Sequence, residues 1–261
     1  MLKINNATKS FAGIVAVDGC SFEIKKGTIS ALIGPNGAGK TTLFNCISRI
    51  YPIDSGEIIY KDRRLDLMPT HKIARLGIGR SFQITRTLDH LSVTENLVLH
   101  TAGGIGSHLL LPGITMENRQ KAGEIMEFLG ISALADMDMG SLSFGQKKLL
   151  DLGTVLMADP ELILLDEPAA GVNLRLLEDI IEKLVTLKNQ GKTIFLIEHN
   201  MDLVMEISDE LIVMSAGMII AQGQTTEIRE DIKCKWCSIS LPSCCLLYTS
   251  DAADEEDSVD L

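Results

Sequence analysis

The stretch Gly34-Pro35-Asn36-Gly37-Ala38-Gly39-Lys40-Thr41-Thr42 constrains the fold of this chain more than any other. It satisfies the pattern G-x-x-x-x-G-K-[ST] at every fixed position. Glycines let a backbone curl so that successive N–H groups point inward at an anion. A helix starting near Lys40 adds the positive end of its dipole. In such a loop Lys40 reaches the β- and γ-phosphates of a nucleotide, and the Thr41 hydroxyl ligates Mg²⁺. The flanks agree. Thr28 to Ile33 reads as a short buried strand entering the loop, and Thr42 to Ile47 continues as a helix. That context separates the loop from a chance glycine-rich turn.

The rest of the chain supplies a matching frame. Leu2–Thr8, Val15–Val17, Ser21–Ile24 and Gly56–Tyr60 are strand candidates, punctuated by Gly19, Lys25-Lys26-Gly27 and Asp54-Ser55-Gly56. Val93–His100, Met116–Leu129 and Ser132–Ala135 have helical spacing. From Phe144 onward helix and strand alternate: Gln146–Met157, then strand Leu162–Leu165, helix Leu174–Gln190 and strand Thr193–Ile197. Such alternation predicts a parallel sheet flanked by helices. A helical insert from about 84 to 140 is expected between the halves. Leu211–Ala221, interrupted by Ser215 and Gly217, reads as two short strands and a turn.

Composition excludes some classes. A net charge of −11 argues against a nucleic-acid partner, which would need a basic face. The N-terminus turns polar at once and is not a signal-peptide pattern. No run approaches the ~18 apolar residues of a membrane span. Residues 234–261 differ from the rest. They hold Cys234, Cys237, Cys244, Cys245, the single Trp236 and six acids against one lysine. Their cysteine spacing fits no zinc pattern and has no histidine beside it. The run from Cys245 through Asp257 looks like translated sequencing adapter, so 234–261 is expected to be a non-native or disordered tail.

A second chemical element is Leu162-Ile163-Leu164-Leu165-Asp166-Glu167-Pro168. The four aliphatics make a central strand, and Asp166 stands at its carboxyl end, where open parallel sheets bind ligands. A carboxylate there holds Mg²⁺, and Glu167 is placed to polarise an attacking water. An acid pair stabilising a helix start is the alternative for these two residues alone. The phosphate loop tips the balance toward catalysis.

Leu142-Ser143-Phe144-Gly145-Gln146, alone, is a serine-capped helix start. One helix ahead of the Asp166 strand, it resembles the L-S-G-G-Q signature of ABC ATPases, with Phe144 departing at the third position. Gln83 in Arg80-Ser81-Phe82-Gln83 matches that family's Q-loop glutamine, and His199 matches its switch histidine. Ala169-Ala170-Gly171-Val172-Asn173 matches the D-loop, with Asn173 where most members have aspartate. Phe11 lies where the family stacks adenine. Together with Glu198-His199-Asn200-Met201-Asp202-Leu203-Val204-Met205, these features resemble the ATP-binding subunits of branched-chain amino-acid importers. Urea and amide importers share them, and lipopolysaccharide-extracting ATPases do so less fully. In the amino-acid importers Phe144 and Asn173 are expected residues.

The resemblance spans 1–233 and implies the ABC ATPase fold. That fold is an α/β P-loop NTPase with a parallel core sheet, an N-terminal antiparallel β subdomain and an inserted α-helical subdomain. It implies a head-to-tail dimer, homo- or heteromeric, with two ATP molecules at the interface. Phe11, Gly34 to Thr42, Gln83, Asp166, Glu167 and His199 would serve each site from one subunit. Ser143, Gly145 and Gln146 would come from the other. Catalysis would fall to Glu167, His199 and Gln83, and Mg²⁺ to Thr41, Gln83 and Asp166. The implied partners are two transmembrane permease subunits and, indirectly, a substrate-binding protein. The implied location is the cytoplasmic face of the plasma membrane. The apolar centre Leu109-Leu110-Leu111 of the 103–113 loop suits a permease contact and a local cluster equally. A soluble ABC ATPase of DNA repair or translation would usually add coiled coils or a second nucleotide domain. A GTPase would need N-K-x-D, and a small-molecule kinase a second substrate site with lid arginines. None is evident in the sequence.

Overall fold

The chain is described from a computed structural model, which covers residues 1–81, 88–101 and 115–228. Gln83, the 103–113 loop and the 234–261 tail lie outside the described residues. In chain order the strands are β1 Leu2–Phe11, β2 Ile14–Ile24, β3 Ile29–Ile33, β4 Ser55–Tyr60, β5 Arg63–Arg64, β6 Ile78–Arg80, β7 Leu162–Asp166, β8 Thr193–Ile197, β9 Glu210–Ser215 and β10 Met218–Gln224. The helices are α1 Lys40–Ile47, α2 Thr70–Ala74, α3 Val93–Leu99, α4 Met116–Leu129, α5 Phe144–Leu156, α6 Leu174–Asn189 and α7 Met201–Ile207.

Two sheets result. One is antiparallel, in the order β2-β1-β4-β5. The other has the order β10-β9-β3-β8-β7-β6, parallel throughout except for β10 at its edge. Every residue of β3, β7 and β8 is buried. This is why those strands read as unbroken aliphatic runs and not as alternating ones.

Side-chain alternation divides the parallel sheet between two cores. Ile163 and Leu165 of β7, with Ile194 and Leu196 of β8, pack toward α3, α4, α5, α6 and α7. Leu162 and Leu164, with Phe195 and Ile197, pack toward α1 and the antiparallel sheet. Phe195 is the hinge of the second core. Its ring lies 4.8 Å from that of Phe44 on α1 and 5.7 Å from that of Phe22 on β2.

The antiparallel sheet departs from the expected strand pattern. Gly19 does not split β2. It sits inside one continuous strand at φ +58° and donates its N–H to Thr8 Oγ1. Opposite it the register slips between Ala7 and Lys9, and Asn6 in β1 also has positive φ. Bulges of this kind interrupt a period-two pattern without ending the strand. The segment Ser132–Leu134 forms a single 3₁₀ turn where helical spacing suggested more.

Replacing Phe195 with alanine removes the ring that joins a central strand, α1 and the antiparallel sheet. The expected loss is about 3–5 kcal/mol of stability, read as a lower midpoint in chemical denaturation of the isolated chain.

Candidate functional site

The loop after β3 owes its path to two glycines. At Gly34 a Cβ would stand 2.0 Å from the Met214 carbonyl oxygen of β9, and at Gly39 it would stand 2.1 Å from that of Ala16 in β2. Both glycines have positive φ, +155° and +101°. A side chain at either place would push the loop off its neighbours. The Ala38 carbonyl accepts from the Gly217 N–H at 3.0 Å, and the Gly217 carbonyl accepts from the Asp18 N–H at 2.8 Å. The β9–β10 turn therefore clasps the loop to β2.

The helix α1 begins at Lys40 with no side-chain cap and no acid in its first turn. Its first N–H groups have no intrahelical partners, so this end is built for an external anion. Lys40 is buried and donates to the carbonyls of Gly34 and Pro35 at 2.7 and 3.0 Å. Burial lowers its pKa, and the charges of Glu167 and Asp166 oppose that shift.

Across the cleft, Asp166 closes β7 almost fully buried. Burial raises its pKa above the usual carboxylate value. Arg80 opposes the rise, Glu167 adds to it, and Lys40 and Lys148 oppose it again. The Arg80 guanidinium lies 3.7 Å from Asp166 Oδ2, and the Asp166 N–H donates to Ser81 Oγ. Asp166 Oδ1 is buried without a hydrogen bond among the described residues. Such an orphaned oxygen at the end of a parallel strand is a suitable donor for a hard divalent cation.

Glu167 turns the chain out of the sheet at φ +52°, its N–H donating to the Ile197 carbonyl at 3.0 Å. The sharp turn thus falls on Glu167 itself, one residue before Pro168. Glu167 Oε1 meets His199 Nε2 at 3.0 Å. Glu198 is buried beside them, and its carboxylate accepts from the N–H groups of Ala169, His199 and Asn200 at 2.8, 3.0 and 3.4 Å.

The loop from Asn36 to Thr42, Ala16, Glu167 and His199 line an open cleft of about 380 Å³. Asp166 is not in that lining and borders a small neighbouring cavity with Ser81 and Lys148. A larger cleft of about 490 Å³ lies elsewhere, beside the Lys188–Asp209 and Lys25–Glu210 ion pairs. It contains none of the sequence-derived site residues. Ser143, Gly145 and Gln146 do not face the loop cleft. Ser143 caps α5, with its N–H donating to Gln146 Oε1 at 2.8 Å. Phe11 is partly exposed, edge-on to Tyr51 at 5.0 Å with the Lys9 ammonium 5.2 Å from its ring centroid. Arg80 and Glu198 are the residues that sequence reading assigned no role. A cation ending an edge strand and a charge directly after a wholly apolar strand were their signals.

The family model described as "ABC transporter" matches residues 17–170. The chain belongs to the ABC transporter family. It is 36% identical over 239 residues to a probable branched-chain amino acid transport ATP-binding protein, LivG, of Archaeoglobus fulgidus, covering 89% of this chain and 93% of that one. It is 32% identical to the high-affinity branched-chain amino acid transport ATP-binding protein BraF of Pseudomonas aeruginosa, covering 88% and 94%. Among solved structures, the ADP conformation of MJ1267, an ATP-binding cassette of an ABC transporter, matches with a TM-score of 0.82. Identity is 35%, over 92% of this chain and 98% of that one. A nucleotide-free cassette matches with a TM-score of 0.81 and 35% identity, over 90% and 95%. The fold is the ABC ATPase fold, and the chain is an ATP-hydrolysing subunit of an ABC transporter.

The Gly39→Ala variant is expected to lose nucleotide affinity by at least about tenfold, because positive φ and the Ala16 carbonyl both resist a Cβ. Titration with a fluorescent ATP analogue reads this directly.

Proposed function

We propose that this subunit powers import of branched-chain amino acids, hydrolysing ATP in composite sites of a dimer. The carrying observation is the Glu167–His199 pair, 3.0 Å apart and opening into the same cleft as the phosphate loop. The names of the relatives, at 32–36% identity over nearly the whole chain, support the amino-acid reading.

In this proposal the α1 N-terminus and Lys40 hold the β- and γ-phosphates. Phe11 stacks on the adenine. Asp166 through its orphaned Oδ1, Thr41 and Gln83 would hold Mg²⁺, which when bound neutralises charge on the phosphates. Glu167 orients a water and takes part of its proton as the water oxygen attacks the γ-phosphorus. The bond to the β-phosphate oxygen breaks, and ADP leaves with that electron pair. His199 holds the Glu167 carboxylate on one side and the γ-phosphate on the other. Ser143, Gly145 and Gln146 of the partner subunit complete the γ-phosphate shell, in keeping with their position outside this chain's own cleft. Positioning and charge neutralisation then supply the rate.

Two permease subunits would receive the resulting closure and opening, with a substrate-binding protein upstream. No helix among the described residues is long and apolar enough to cross a membrane. This fits attachment to the cytoplasmic face of the membrane through the permeases. Residues 1–233 would form the working domain, with an inserted helical part from about 84 to 140.

Glu167→Gln is expected to cut turnover by at least about a hundredfold, the scale of a lost general base. ATP binding should persist, and the ATP-bound dimer should live longer in gel filtration. Normal turnover in that variant would remove Glu167 from the mechanism. In vesicles carrying this subunit with its permeases and binding protein, labelled leucine is expected to accumulate with ATP. Uptake of urea instead, with leucine excluded, would overturn the substrate assignment.

A further inference from the structure

The signature helix α5 serves the partner's nucleotide in the proposal above, yet it is bolted to its own subunit's catalytic turn. Lys148, on the second turn of α5, donates its ammonium to the Glu167 carbonyl at 3.1 Å. The same ammonium lies 5.9 Å from the centroid of the Phe144 ring. Phe144 in turn covers Gly171, where a Cβ would come within 3.1 Å of the ring. Beside it, Leu176 of α6 packs so closely on Gly145 that a Cβ there would stand 2.5 Å from Leu176 Cδ2. The start of α5 and the segment from Glu167 to the start of α6 therefore meet through three contacts.

Glu167 needs such support. Its φ of +52° lies in a region that strains a residue with a Cβ and persists only where the surroundings hold it there. A left-handed residue also aims its carbonyl away from the ladder of the sheet, where it requires a separate donor. The Ala170 N–H donates to that carbonyl at 3.2 Å from within the turn, and the Lys148 ammonium is the second donor, the one that comes from outside it.

We propose that Lys148 is a positioning residue that holds the Glu167 turn in its left-handed conformation and ties it to the signature helix. The tie rests on the reading of Glu167 as the group that orients the water. Among the described residues Lys148 holds Glu167 at its backbone carbonyl and not at its carboxylate. The aromatic Phe144, where most of the family has glycine, adds a second grip on the same segment. Displacement of Ser143 and Gly145 by a partner's nucleotide thus pulls on the turn that carries this subunit's own Glu167. In this subgroup the two composite sites are joined through one helix.

The test compares Lys148→Met and Lys148→Arg with the unaltered chain. Lys148→Met keeps the length of the side chain and removes the donor. Its kcat is expected to fall about tenfold, the scale of one charge-assisted hydrogen bond. The KM for ATP and the thermal midpoint should stay unchanged, and in a Glu167→Gln background ATP should still drive dimerisation. Lys148→Arg should restore most of the turnover. Full turnover in Lys148→Met would overturn the proposal. So would a loss that appears only in KM or tracks the thermal midpoint, or a Lys148→Arg variant as slow as Lys148→Met. Glu167→Gln separates the two layers. If that variant turns over normally, the role of Glu167 fails and the tie loses its purpose. If it is inactive while Lys148→Met is fully active, only the tie fails.

Discussion

At Gly34 and Gly39 the phosphate loop passes so close to the carbonyls of Met214 and Ala16 that no side chain fits between. Those carbonyls belong to different sheets, one to β9 of the parallel sheet and the other to β2 of the antiparallel sheet. The loop is therefore the seam where the two sheets join. Its shape is imposed from both sides and not only by its own turn preferences. The β9–β10 turn completes the seam through Gly217, whose backbone bonds both to Ala38 and to Asp18. An anion site made of backbone N–H groups works only if those groups stay aimed, and backbone packed against backbone leaves them little freedom.

Charge placement follows from that seam. Lys40 is buried at the loop, and Asp166 is buried at the end of the neighbouring strand system. Burial alone would favour the neutral form of each. Opposite charges counter this: Asp166 and Glu167 for Lys40, and Arg80, Lys40 and Lys148 for Asp166. The balance is incomplete, because Asp166 Oδ1 keeps no hydrogen bond among the described residues. An unsatisfied buried acceptor costs about 1–3 kcal/mol, which a fold retains where function uses the group.

The parallel core was legible because burial on both faces leaves a local mark. Strand β8 and helix α4 lie where apolar runs and periodicity place them, and β7 extends one residue further to include Asp166. What the sequence hid is nonlocal. Gly19 looks like a strand break until β1 supplies Thr8 as its partner. Glu167 carries no sign of left-handed backbone, since the Ile197 carbonyl and Lys148 that hold it are distant in the chain. Glu198 has the same character: its three backbone donors come from two segments that only the fold brings together. Phe144 was visible as a departure from the glycine of the wider family. Its reason lies in Gly171, whose missing side chain leaves room for the ring.

The Glu167 turn is held from several directions at once. Its N–H is bonded to β8, its carbonyl to α5 and its carboxylate to His199, and two residues on Ala169 is bonded to Glu198. Strained backbone persists only under such over-determination. Each anchor also belongs to an element with a second duty. β8 leads into His199, Glu198 bonds the His199 backbone, and α5 begins at the signature serine. A shift in any of these elements changes the geometry of the glutamate without touching its side chain. With the role proposed for Glu167, this lets the water-orienting group respond to events outside its own cleft, and it needs no moving part beyond helices and strands already packed.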